Sequence, residues 1–174
     1  MKTGIFIGFI GLTFIVSCNR HFDEHLGKLL KLPHHLEIYN PYLAEIPDST
    51  GHFIKKSKIY SLVNVSCPTC IPQLYDLDSI NQKLKIQNKD AQVIAICRAD
   101  DNFQLIKYFF ESKKMVNIQI PLVLDFEDKF IELNATLLNI DDGMLVLTNE
   151  YNKILLTGNL KKDKRKFLEL IPDK

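Results

Sequence analysis

Apolar residues follow two rhythms along this chain. Residues 59–65, Ile-Tyr-Ser-Leu-Val-Asn-Val, are almost continuously apolar, as in a strand buried on both faces. Just past Cys67-Pro-Thr-Cys70 the spacing changes. Leu74, Leu77, Ile80 and Leu84 recur at steps of three and four, which predicts an amphipathic helix running to about residue 88. Residues 92–97, Gln-Val-Ile-Ala-Ile-Cys, read as a second buried strand. Strand, helix, strand implies a right-handed crossover and parallel pairing, so the strand ends near Cys67 and Arg98 share one edge.

The remaining pattern extends this α/β reading. Asp100-Asp101-Asn102 supplies a helix cap, and Phe103, Ile106, Phe109 and Phe110 give the next helix its core face. Residues 118–125 are extended and residues 129–138 fit a short helix. Residues 144–157 predict a hairpin turning at 149–152. Gly158-Asn159 ends it, and residues 160–170 suit a closing helix. The basic run of that helix (Lys161, Lys162, Lys164, Arg165, Lys166) reads as a solvated face rather than a lipid contact. Upstream, residues 35–58 alternate apolar stretches with the turn signals Asn40-Pro41, Pro47-Asp48-Ser49 and Thr50-Gly51. They predict short strands that form an N-terminal extension.

Composition changes this picture little. The chain has 174 residues, 46% hydrophobic and 25% charged, which suits one ordinary globular domain. Its formal charge of +1 gives no electrostatic case for nucleic acid. The N-terminus changes it more. Lys2 is followed by an apolar run over residues 5–16, the length of a signal-peptide core and too short for an ordinary membrane span. The run ends at Ile15-Val16-Ser17-Cys18. A small residue before a cysteine resembles the lipobox of bacterial lipoproteins, which implies cleavage before Cys18 and lipid on that residue. The competing reading is an uncleaved short anchor with an incidental cysteine. Either places the rest of the chain outside the cytoplasm, where disulfides persist. Residues 1–17 are thus read as a lipoprotein signal peptide, 18–34 as a tether with room for a short helix, and 35–174 as the folded domain. His21, His25, His34 and His35 show no convergence, and neither a metal nor a cofactor is expected.

The chemistry concentrates at Cys67 and Cys70, placed where a strand hands over to a helix. Unpaired N–H groups and the helix dipole at such a point favour a thiolate, and two sulfurs one turn apart can close and reopen a disulfide. By their order, Cys67 is expected to be the exposed, more acidic thiol and Cys70 the shielded one. Cys97, inside an apolar strand, reads as a small hydrophobe.

Cys67-Pro-Thr-Cys70, the lipobox-like end at Cys18 and the closing stretch from Leu145 to Asn159 together resemble the thioredoxin-like lipoproteins of Bacteroidetes-type bacteria. The likeness is good over residues 55–172 and looser over the extension. It implies a thioredoxin-like fold, with a central mixed sheet flanked by helices and an N-terminal β extension. It also implies that Cys67 attacks and Cys70 resolves, beside a substrate groove formed by Ser66, Pro68, Thr69, Asp142 and Gly143. The chain departs from the pattern in several places. Ser66 replaces an aromatic residue, Ser61 a buried acid, and Gln73 a glutamate. Pro72 threatens an early helix bond, so the helix could start regularly only there, leaving the cysteines in a looser turn. The cis-proline that usually opens the facing strand aligns with Gly143, or in a competing alignment with Pro121. On the first alignment, Gly143→Pro is expected to raise activity.

Two functions lead, ahead of a metal or metallochaperone role that would use the two thiolates with borrowed ligands. One is a membrane-anchored envelope thiol–disulfide oxidoreductase. It would act on protein thiols or disulfides and face the periplasm or the cell exterior. The other is a non-catalytic binding or accessory lipoprotein of the same fold, holding Cys67 and Cys70 as a structural disulfide.

Overall fold

The computed structural model describes residues 25–34, 36–43, 55–137, 143–171 and 173. Cys18, Asp142, the apolar run over residues 5–16 and the turns of residues 47–51 lie outside them. Three parallel strands form the centre: β2 (Ser57–Asn64), β3 (Ala91–Arg98) and β4 (Leu122–Leu124). The short β1 (Glu37–Tyr39) is antiparallel to β4 at one edge. On the other side β5 (Met144–Thr148) runs antiparallel to β2 and leads into β6 (Ile154–Asn159). The resulting mixed sheet has six strands in the order β1-β4-β3-β2-β5-β6. The four helices are α1 (Pro72–Ile86), α2 (Gln104–Glu111), α3 (Lys129–Asn134) and α4 (Leu160–Leu170).

Alternation along the strands divides the core into two layers. Ile59, Val63, Val93, Ala95, Cys97, Leu145 and Leu147 join Leu74, Leu77, Ile80 and Leu84 of α1 and Phe167 of α4. Tyr60, Leu62, Ile94, Ile96 and Val146 pack on the opposite face with Phe130 of α3 and with Leu30 and Leu36. The four α1 residues are those the helical spacing selected, and each contributes on the order of 1.5–3 kcal/mol by leaving water. A register shift between Leu147 and Thr148 changes the phase of the hairpin, sending Ile154 to one layer and Leu156 to the other.

Several expectations need correction. Helix α1 ends at Ile86 and α3 at Asn134, both short of their predicted limits. Asn88, at φ 53°, ends the first by turning left-handed. Ahead of α2, Asp101 Oδ2 accepts from the Leu105 N–H at 2.8 Å. The cap residue itself is Phe103, in the left-handed region. The described part of the stretch read as a tether is docked. Gly27 and Leu30 donate their N–H groups to Ile154 and Asn152, and Ile154 donates to Lys28. Asn134 clamps Lys31 with two 2.9 Å bonds, one to each backbone group. Burial of Leu30 gives this docking its apolar component. Among the described residues no helix is long and apolar enough to cross a membrane.

Candidate active site

Strand β2 delivers the cysteines to the carboxyl edge of the sheet. The parallel ladder carries on past it, with the Val65 N–H donating to Arg98 O at 2.9 Å. Asn64 then folds the chain over. Its Oδ1 accepts from the Ser66 N–H at 3.0 Å and from the Ser66 hydroxyl at 2.7 Å, an Asx turn. The Ser66 oxygen in turn accepts from the Asp100 N–H at 3.2 Å. Ser66, standing where an aromatic residue is usual, therefore ties the approach to Cys67 to the loop after β3. The sequence pattern placed Asn64 inside the strand and did not anticipate this turn. Nor did it anticipate Asp100, 34 residues from Ser66.

From Cys67 to Ile71 the chain makes one tight turn. The Cys67 carbonyl accepts from Cys70 N at 2.9 Å and from Ile71 N at 3.2 Å. Regular helix begins only at Pro72, the first helical residue, where its missing N–H costs nothing. Both cysteines thus precede the helix. This placement leaves Cys67 and Cys70 both partly exposed, with Cys70 not fully buried beneath the turn. It also moves Cys67 away from the strongest part of the helix dipole, which acts within the first turn.

Local donors acidify Cys67 instead. Its thiol is held below the ordinary range, first by the Cys70 side chain and then by the Thr69 hydroxyl. Backbone N–H groups of Thr69 and Cys70 add to this, and desolvation opposes it. The Thr69 oxygen lies 3.1 Å from the Cys67 sulfur. Removing that donor in Thr69→Val should raise the Cys67 pKa and reduce the thiolate present at neutral pH. The midpoint of the pH profile for Cys67 alkylation should accordingly move upward. An unmoved midpoint would show that the hydroxyl does not donate to the sulfur. Cys97 differs, since complete burial pushes its thiol up and leaves it inert near neutral pH.

Gly143 opens β5, the antiparallel neighbour of β2, and its N–H donates to Leu62 O at 2.9 Å. It therefore lies at the cysteine end of the sheet. Pro121 precedes β4, which is parallel to β3 and separated from β2 by it. The alignment that made Pro121-Leu-Val-Leu-Asp125 the facing strand falls on this topology. The Gly143→Pro expectation fails too. Gly143 has φ +80° and uses its N–H, while proline requires φ near −65° and has no N–H. A side chain here would also meet the Gln73 amide, whose Oε1 lies 3.3 Å from the position a Cβ would take. Among the described residues that oxygen is buried without a hydrogen-bond partner, as is the hydroxyl of Ser61.

Ser66, Cys67, Pro68, Thr69, Cys70 and Gly143 are thus gathered at one end of the sheet, with Gln73 beside Gly143. Two thiols within one turn, one of them acidified, can close a disulfide with each other or with another molecule.

The chain matches no protein-family model and no curated protein. Solved structures do resemble it. StoA from Bacillus subtilis superposes with a TM-score of 0.52 at 16% identity, over 76% of this chain and 98% of that one. An uncharacterized thioredoxin-like protein from Porphyromonas gingivalis gives 0.55 at 14% identity, over 81% and 89%. At such identities the likeness is one of fold. With its mixed sheet and its Cys-x-x-Cys turn between β2 and α1, this chain has the thioredoxin fold.

Proposed function

We propose that this protein is a thiol–disulfide oxidoreductase of the bacterial cell envelope, working through Cys67 and Cys70 and anchored by lipid on Cys18. The observation that carries the reading is the acidified, partly exposed Cys67 thiol with a second cysteine, Cys70, in the same turn. The likeness of fold to proteins of the thioredoxin type supports it.

The Cys67 thiolate attacks one sulfur of a substrate disulfide, forming a mixed disulfide and releasing the other substrate sulfur as a thiolate. Cys70, once deprotonated, attacks the Cys67 sulfur. The Cys67–Cys70 disulfide closes and the second substrate thiolate leaves. Two electrons have passed to the substrate, and its two thiolates take up the protons that the cysteines lost. The same steps reversed oxidise a substrate dithiol. Ser66, Pro68, Thr69 and Gly143 border this exchange, and Asp142, next to Gly143 in the sequence, is assigned to the same groove. With Ser61 and Gln73 in the places of acids, Cys70 gives its proton to water or to the leaving thiolate.

The test is the reduction potential of the Cys67–Cys70 pair, measured by equilibration with glutathione. An exchanging pair should lie above about −300 mV, whereas a structural disulfide typically falls below that value. A potential below it would favour the accessory lipoprotein.

A further inference from the structure

The end of the sheet opposite the cysteines has its own character. Strand β2 has eight residues, about 26 Å of extended chain, so its two ends are well separated. At the amino end Lys58 reaches the hairpin turn, donating from Nζ to Glu150 O at 2.9 Å and to Asn152 Oδ1 at 3.0 Å. Helix α1 leaves the cysteine end and finishes here at Ile86, ahead of β3. Helix α4 ends here too, followed by the pairing of Asp173 with Lys89. Ile86, Tyr151 and Leu170 are 83%, 68% and 55% exposed. They are the three most exposed large apolar residues described, and all three lie at this end. Leu29 is opposite Lys153 in the docked N-terminal segment, and both Leu29 and Leu155 are exposed. Lys28, Lys31 and Lys153 are exposed beside them. The acids of this end include Glu150, and Glu169 and Asp173 near Leu170, the last two paired with Arg165 and Lys89.

We infer that this end is a membrane-facing surface, seated on the anionic lipid layer that holds the anchor, with the cysteines directed away from it. The inference rests on the proposed lipidation of Cys18 for its choice of occupant. Cys18 stands seven residues before His25, a reach of at most about 25 Å, and the described chain begins at this same end of the sheet. A short anchor emerging there keeps this end near the bilayer. Exposed apolar side chains mixed with lysines suit an anionic interface, where apolar groups enter the headgroup region and lysines meet lipid phosphates. Exposed large apolar residues gathered at one end of the fold, Leu29, Ile86, Tyr151, Leu155 and Leu170, are what such an interaction site uses. The redox partners would then be proteins approaching from the compartment, rather than cysteines embedded in the anchoring leaflet.

The sequence has no tryptophan, so single tryptophans report cleanly. Full-chain Tyr151→Trp and Phe126→Trp would be placed on vesicles of phosphatidylcholine and phosphatidylglycerol with brominated acyl chains. Phe126, exposed just after β4, marks the cysteine end. The Tyr151→Trp emission should shift blue and fall by roughly half on brominated lipid, while that of Phe126→Trp stays unchanged. Adding Leu29→Asp and Leu155→Asp should restore the emission with circular dichroism unaltered.

Quenching of Phe126→Trp, or of neither reporter, would overturn the inference. So would a Tyr151→Trp shift that grows with protein concentration in the absence of lipid, which points to a second copy of this chain. Flotation of the parent against Cys18→Ala tests the anchor separately. A parent that floats no better than Cys18→Ala refutes lipidation. The reporters still judge the surface, because contact with anionic vesicles needs no lipid on Cys18.

Discussion

In Cys70→Ser, iodoacetamide should label Cys67 rapidly near neutral pH, whereas in Cys67→Ser the remaining Cys70 should react several-fold more slowly. The difference comes from acidity, and both thiols are partly exposed. The thiolate is the nucleophile, and Cys67 is the sulfur whose surroundings favour it. A serine at 70 keeps a hydroxyl donor where the Cys70 thiol stood, so Cys67 should remain acidified. Cys97 is fully buried and should contribute no label in the folded protein. Peptide masses after timed alkylation decide the matter. Faster labelling in Cys67→Ser would reverse the proposed attacking and resolving roles. The same pair of variants should show disulfide-exchange turnover lost in both, with only Cys70→Ser trapping a mixed disulfide.

Gly143→Pro should destabilise the fold by about 3 kcal/mol and lower the melting temperature by roughly 6–12 °C. The ring forces φ away from +80° and removes the donor to Leu62 O. Gly143→Ala should cost less, about 1–2 kcal/mol, because it keeps that N–H and meets only the movable end of Gln73. Thermal unfolding followed by circular dichroism separates the two. A proline variant as stable as the parent would mean that β5 does not start with the backbone described above. Where a cis-proline would brace this loop, the present chain uses a glycine that no other residue replaces without strain.

Much of this fold was legible because its cues are local. The hairpin announced itself through Asn149 to Asn152 between apolar runs, and Asn149 Oδ1 does close the turn by accepting from Tyr151 N and Lys153 N. The closing helix was legible for the same reason, with Asn159 capping it through Lys161 N. Contacts between distant segments were not legible. Asn134 clamps Lys31 across 103 residues, and nothing in the sequence around Lys31 announces a partner. The site divides in the same way. The cysteines could be picked out by their spacing, and the glycine by aligning the hairpin with the family it resembles. The start of the helix could not, because it depended on whether Pro72 would interrupt a helix or begin one.

That start at Pro72 has a practical side. The hydrogen-bond ladder of α1 and its five buried residues lie wholly beyond the Cys67–Cys70 turn. Pro68 and Thr69, both exposed and outside the helix, form a replaceable cartridge. Libraries of dipeptides inserted there would change the electrochemistry of the sulfurs while the melting temperature stays fixed. The protein could thus be graded from oxidant to reductant without being redesigned.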